Sequence, residues 1–379
     1  MATTSGFEPD WSALLARIGD VIDLEATARA SGALVRRRAV GSAAALLRLA
    51  LGYGPGGMSL RSAAAWAEMR GISSLSDVAL MKRLQGAADW LGLLAGALMG
   101  KGAQEQASVT GRRLRIVDGS VVCHPAHGGL DWRLHAIYEP ARAAFTHVEL
   151  TDARGWESLT RLPVQPGDVV VGDRGFARPP ELKHVLEQGA DFVVRIGWRS
   201  LRLLDPGTNE PIDLESVFAH LRPGEHVERP VLIDRSKPRG RPLFSARVVI
   251  LRKSPASGAR DRRRAKDKRR RRATGHRLLP MTMAAADYLM VLTSLPLEVA
   301  SDEVLKIYRV RWQIELAFKR LKSLVGIDRL AAKDSRLARA WLYAHLIIAF
   351  LISDASQDLL APSPSGPGGQ AAALALAHP

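Results

Sequence analysis

Apolar positions recur with a helical period through the first hundred residues, where Ala and Leu dominate. Ser59 is placed to cap a helix over Leu60 to Met69, Gly71 to end it, and Ser76 to open the next from Asp77 to Leu84. Near Gly111 the pattern shortens to that of strands. Leu114, Ile116 and Val117 lead into Asp118, and strand-like runs follow at Trp132 to Ile137, Thr146 to Leu150 and Asp168 to Val171. A helix over Glu181 to Gln188 and a strand over Asp191 to Ile196 complete an α/β core opened by a three-strand meander. From 198 to 286 the periodicity weakens, with breaks at Pro206-Gly207, Pro223-Gly224 and Lys237-Pro238. That stretch is too long for a loop and reads as an inserted β-rich subdomain. Ser301 to Val325 contains neither Gly nor Pro and predicts one continuous helix. Ser301 would be its N-cap, Asp302 and Glu303 would complement its dipole, and Gly326 would stop it. The expected organisation is a helical N-terminal domain (1–108), a core (109–197 and 287–360) interrupted by the insertion (198–286), and a low-complexity, disordered tail (361–379).

Composition adds a partner to this picture. The 379 residues carry 54 Lys and Arg against 38 Asp and Glu, a net charge of +16, while the charged fraction of 24% is that of an ordinary globular protein. The imbalance points to a polyanion, nucleic acid first and anionic membrane second. Arg260 to Arg272, RDRRRAKDKRRRR, holds ten basic and two acidic residues, so its +8 is half the total. Such a run is either a solvated helix or arm, or a phosphate-binding element whose contacts make binding salt-dependent. The lone Cys123 excludes an internal disulfide or a Cys-rich zinc site. No apolar run reaches the roughly 18 residues of a bilayer span, and Ala340 to Ile352, with Tyr343 and His345, reads as a buried helix. With no signal-peptide pattern around Glu8 and Asp10, a cytoplasmic location is expected. A phosphate-binding G-x-x-x-x-G-K-[ST] loop is also missing.

Candidate chemistry lies in the acids. On the predicted helix Tyr308, Arg311, Glu315 and Lys322 fall within about 60° of one another. Ile307, Val310, Ile314, Ala317, Leu321 and Leu324 lie beside them as the seam that would seat the helix. An amphipathic helix with an i, i+4 Arg-Glu pair explains the same pattern without function. Asp118 and Asp173 each follow an apolar run and precede a glycine-containing turn, where a single Asp is commonly a cap. Together with Glu315 they make three acids on three core elements that could converge at one sheet edge. His124, His135 and His147 lack metal-ligand spacing. Two short helices around Gly71 fit a helix-turn-helix as well as an inert bundle.

V-D-G-S at Asp118, G-D-R-G-F at Asp173 and Y-x2-R-x3-E-x6-K at Tyr308, Arg311, Glu315 and Lys322 resemble the DDE transposases of bacterial insertion sequences, the IS-four type with the Y-R-E-K signature. Similarity extends through D-W-R-L-H at Asp131 to His135, L-T-D-A-R-G-W-E-S at Leu150 to Ser158, and R-W-Q-I-E-L-A-F-K-R-L-K-S at Arg311 to Ser323. The resemblance implies an RNase H-like core with a mixed five-stranded sheet, the insertion lying between its fifth strand and the glutamate helix. It also implies a nucleoid-associated enzyme that moves double-stranded DNA by cut and paste, as a dimer pairing two transposon ends before joining them to target DNA. Asp118, Asp173 and Glu315 would hold two Mg²⁺ ions, with Mn²⁺ as a substitute, since hard oxygen ligands suit these metals. Arg311, Lys322 and Tyr308 would clamp phosphates. Lys319 and Trp312 would touch DNA, and Arg174 would either contact DNA or brace the metal site. Relatives that form a DNA hairpin use a tryptophan to hold a flipped base; here Leu289 takes its place and Tyr288 is the candidate substitute. A catalytically silent DNA-binding derivative and a stand-alone RNase H-like nuclease remain as alternatives.

Overall fold

A computed structural model describes residues 7–35, 39–100, 111–122, 132–142, 144–152, 155–234, 244–272, 279–325, 330, 332 and 334–360. Cys123, His124, Asp131, Lys237-Pro238, Gly326, the side chains of Leu321 and Leu324, and the tail fall outside that set. The helices are α1 (Phe7–Gly19), α2 (Leu24–Ala30), α3 (Ala43–Tyr53), α4 (Leu60–Met69), α5 (Asp77–Gly100), α6 (Pro179–Glu187), α7 (Leu214–Ala219), α8 (Pro255–Arg272), α9 (Pro280–Ala285), α10 (Ser301–Val310), α11 (Trp312–Val325) and α12 (Ser335–Leu360). The strands are β1 (Arg113–Val122), β2 (Trp132–Glu139), β3 (Ala144–Thr151), β4 (Asp168–Gly172), β5 (Asp191–Ile196), β6 (Arg202–Leu204), β7 (His226–Asp234), β8 (Phe244–Arg252) and β9 (Tyr288–Thr293).

The chain folds into two compact units. The first comprises α1 to α5 and α12. Ser59 Oγ accepts the Ser62 N–H at 3.0 Å, Gly71 takes a left-handed φ of +64°, and Ser76 Oγ accepts the Ala79 N–H at 3.3 Å. These are the expected caps, although α5 runs on to Gly100. The sequence assigns α12 to the catalytic core; its packing partners in this unit are α5 and α3. The absence of a side chain at Gly92 admits the Tyr343 ring, to which a Cβ would come within 3.1 Å. Ser335–Ile352 is long and apolar enough to pass as a membrane span, but 56% of it is buried in protein. His345 is buried there: its Nδ1 lies 2.8 Å from the Trp341 carbonyl, and burial lowers its pKa to about 4, so it is a neutral core histidine.

The second unit is built on one nine-stranded mixed sheet, ordered β3-β2-β1-β4-β5-β9-β8-β7-β6. Its first five strands are the sheet expected from the sequence. The insertion is not a separate subdomain, because β8 pairs antiparallel with β9 and carries β7 and β6 onto the same sheet. Val248, Val249 and Ile250 of β8 are wholly buried, as a central strand covered on both faces requires. The basic run forms the larger part of helix α8, and one acid and one base of the run anchor it: Asp261 accepts from Lys253 at 2.6 Å, while Arg262 pairs with Asp287 just before β9.

Helix α10 begins after an N-cap that is Ala300, not Ser301; the Ser301 hydroxyl instead lies 2.8 Å from His226 Nε2. The loop entering it is held by a buried cation. Arg247 of β8 donates from Nε to the Leu295 carbonyl at 3.0 Å and from Nη2 to those of Pro296 at 2.9 Å and Val299 at 2.6 Å. Its Nη1 pairs with Glu228 at 2.7 Å. Arg247→Met would orphan three carbonyls and a carboxylate, so a loss on the order of 3 kcal/mol or more is expected by urea denaturation. Adding Glu228→Gln should recover only the carboxylate's share.

Candidate active site

Parallel pairing between β1 and β4 runs from Arg113↔Asp168 to Ile116↔Val171 and then stops. Two residues further along each strand stand Asp118 and Asp173, at the same level of the sheet. Asp118 is not at a strand end: β1 continues through it to Val122, paired with β2 at Asp118↔Ala136. Only its β4 side is open, because β4 ends at Gly172 and the chain turns through Arg174–Phe176. The strands therefore form a fork with one aspartate on each prong.

Asp118 Oδ1 accepts the Gly119 N–H at 2.8 Å. Burial pushes its carboxyl up to about 6, and the charges of Glu157 and Glu315 add to the rise, against the Gly119 bond and Arg311. Asp173 Oδ1 is buried without a hydrogen-bond partner. A buried carboxylate oxygen left unpaired is costly.

The third acid comes from the helix, which is not continuous as predicted. Arg311 interrupts it: its N–H reaches Tyr308 O at 3.1 Å and its carbonyl accepts Ile314 N–H at 3.3 Å, the tighter i→i+3 pattern of a 3₁₀ turn. From that turn Arg311 Nη1 lies 3.8 Å from Asp118 Oδ2 while Nη2 binds Glu315 Oε1. Its guanidinium also stands 6.0 Å from the centre of the Tyr308 ring. Burial alone would depress Arg311, but Glu315, Tyr308 and Asp173 outweigh it and hold its pKa above the ordinary value. Tyr308 is buried, and burial followed by the charge of Asp173 raises its phenol. A cleft of about 450 Å³ is lined by Asp118, Ser120, Glu315, Phe318, Lys319 and Lys322, and Lys322 Nζ donates to the Val121 carbonyl at 3.2 Å.

The predicted residues thus gather around one sheet end, with exceptions. Tyr288 is a core residue: its ring stacks on Phe218 with centroids 4.0 Å apart, and its hydroxyl donates to the Phe218 carbonyl at 2.7 Å. It has no free face for a base. Trp312 is 53% exposed, outside the cleft lining. Arg174 lies against Gly197, and burial followed by the charge of Arg195 lowers its pKa. His135 is buried, 2.8 Å from the Thr151 hydroxyl, with burial lowering its pKa to about 4. Two neighbours were missed by sequence reasoning. Arg195 sits on β5 within electrostatic reach of Tyr308, Arg174 and Asp261, and its Nε is buried without a partner. Glu157 lies against Gly119 and Gly175, beside both aspartates. Its only sequence signal was a place in the L-T-D-A-R-G-W-E-S run.

Among the described residues no three His, Cys, Asp or Glu side chains close around a common point as a metal cage. Glu315 is turned onto Arg311, whose guanidinium lies between it and Asp118. The donor set is nevertheless all carboxylate oxygen, with one buried atom unsatisfied, which fits a hard divalent cation.

Comparisons with known proteins show the family. The family model described as "Transposase DDE domain" matches residues 110–351. The chain is 43% identical over 365 residues to the putative transposase InsL for insertion sequence element IS186A of Escherichia coli K12, covering 95% of this chain and 98% of that one. It is equally similar over 366 residues to the transposase for insertion sequence element IS421 of Escherichia coli, with the same coverage. A more distant relative, the transposase for insertion sequence element IS231F of Bacillus thuringiensis subsp. israelensis, is 26% identical over 215 residues, 52% of this chain and 43% of its own. With the family match spanning both prongs of the fork and the helix that faces them, the chain belongs to the DDE transposase family, enzymes that cut DNA and transfer its strands.

Proposed function

We propose that Asp118, Asp173 and Glu315 are the catalytic carboxylates of this transposase, set in an RNase H-like core and acting on the ends of an insertion sequence. The observation that carries the reading is the joint engagement of Asp118 and Glu315 by Arg311 at the sheet end where Asp173 keeps an unpaired oxygen. Asp118, Asp173 and Glu315 would together hold two Mg²⁺ ions, with Mn²⁺ as a substitute. When bound, such ions stabilise negative charge on the attacking and leaving oxygens of an in-line displacement. In cleavage water attacks phosphorus, the P–O3′ bond breaks and the 3′-oxygen leaves as a hydroxyl; in strand transfer that 3′-hydroxyl gives up its proton and attacks a target phosphorus, and the target's 3′-oxygen takes up a proton and leaves.

The remaining side chains position the substrate. Glu315 leaves Arg311 to serve as a ligand, and the freed guanidinium forks onto a phosphate. Lys322 and Lys319 supply point charges along the cleft, Tyr308 donates its hydroxyl to a phosphate oxygen, and Trp312 stacks on DNA from its exposed place. Arg174 and Arg195 extend the cationic surface on the Asp173 side. Asp261 of α8 is within electrostatic reach of both arginines, so the basic helix lies near them and offers a phosphate track. The α4–turn–α5 pair, capped as a helix-turn-helix would be, supplies recognition of the ends. Relatives named as transposases for insertion sequence elements along nearly their full length favour this reading over a stand-alone nuclease, and a dimer would pair the two ends.

Glu315→Gln should reduce cleavage of a DNA fragment carrying the element's end by at least about a thousandfold while leaving its mobility shift intact. Full activity would remove Glu315 from the site. Replacing exposed Arg263, Arg264, Lys266 and Arg270 with Gln should make the plot of log K against log salt shallower by up to about 3 to 4; an unchanged slope would make α8 a solvated helix only. The Asp118 carboxyl, raised to about 6 by burial, contributes stability that is fully present below the ordinary carboxylate range and is lost as pH rises through 6. In EDTA at pH 8, Asp118→Asn should therefore be more stable than the parent by roughly 1 to 3 kcal/mol, the two converging near pH 4 in thermal melts. Saturating Mg²⁺ should reverse the order, because only the parent gains binding energy.

A further inference from the structure

Glu157 stands in the fork between the two aspartate-bearing segments. A Cβ on Gly119, the residue after Asp118, would lie 3.1 Å from its Cγ and Oε1; one on Gly175, two residues after Asp173, would fall 2.1 Å from its Oε2. Neither glycine could carry a side chain without displacing this carboxylate. The backbone behind it is fixed: Ser158 is buried and caps the turn Leu159–Arg161, and the Leu159 N–H donates to Glu181 of α6 at 2.8 Å. Yet Glu157 forms no hydrogen bond or ion pair with any described residue, although it is part-buried and within electrostatic reach of Asp118. Arg311, which compensates Asp118 and Glu315, does not pair with it. A part-buried carboxylate on a fixed backbone, uncompensated and between two others, calls for a cation that none of the described residues provides.

We propose that Glu157 is a positioning residue of the metal centre, acting through water on the cation that Asp118 and Asp173 hold, and that Gly119 and Gly175 are glycines in order to admit it. The proposal rests on the catalytic reading above. Mg²⁺ and Mn²⁺ retain part of their water shell, and carboxylates that accept hydrogen bonds from that shell tune affinity without direct ligation. Removing such a partner weakens metal binding by about 10- to 100-fold.

The test is Mn²⁺ titration of the full chain without DNA, read as loss of the free-ion electron paramagnetic resonance signal. Glu157→Gln should weaken binding by about 10- to 100-fold with an unchanged melt in EDTA, and Glu157→Asp should restore part of it. Gly175→Ala, which pushes only the flexible end of Glu157, should reproduce the loss and add nothing to Glu157→Gln. Parental affinity in Glu157→Gln, or additive losses in the double variant, would overturn the proposal. Asp118→Asn separates the two readings: if it abolishes binding while Glu157→Gln does not, only the role of Glu157 falls; if it leaves binding intact, the catalytic assignment falls as well.

Discussion

Carboxylates gathered at one end of a sheet repel one another, and a neighbouring fixed cation offsets that repulsion. Here Arg311 does so, reaching Asp118 with one nitrogen and Glu315 with the other. Arginine suits the task because its guanidinium stays charged when buried and presents donors in a fixed fork. The 3₁₀ turn at Arg311 fits the same requirement, since it is the place from which one side chain engages a strand and the following helix together. Arg311 thus supplies, from the protein itself, the positive charge that these acids call for.

The constraint beneath that pairing is a mismatch of strand lengths. β4 stops at Gly172 while β1 runs on to Val122, so the parallel pair opens just where each chain carries an aspartate. Ligands in open α/β sheets bind beyond the carboxyl ends of parallel strands because backbone groups there are unpaired and side chains from two segments meet. The inserted strands extend the sheet beyond β9, and Arg247 of β8 ties them to the loop that launches α10. The insertion is therefore a structural continuation of the sheet that carries Asp118 as well as the carrier of a basic helix.

Much of this was legible in the sequence for a physical reason. Strands β2 to β5 are short apolar runs bounded by turn residues, and β5 is read to the residue as Asp191–Ile196. The polar stripe Tyr308, Arg311, Glu315 and Lys322 was visible because helical spacing is regular over one or two turns. What escaped depends on partners distant in sequence. A one-residue 3₁₀ turn leaves no Gly or Pro, the apparent end of β1 at Asp118-Gly119 is concealed by its pairing with β2, and Tyr288 looks like a free aromatic until Phe218, seventy residues earlier, is found stacked on it. Continuity of the sheet through β8 was hidden for the same reason, since strand pairing leaves no local mark.

Glu157 shows the limit most clearly. An isolated glutamate between Trp156 and Ser158 has no periodicity, cap or turn to distinguish it, whereas Asp118 and Asp173 are flanked by glycines that draw attention. Those glycines were read as turn residues, yet neither Gly119 nor Gly175 has a left-handed φ, so conformational freedom is not what they provide. The space they leave is filled by a carboxylate, which turns their meaning from backbone to electrostatics. A glycine beside an active-site acid can thus report on a third residue that the local sequence never shows.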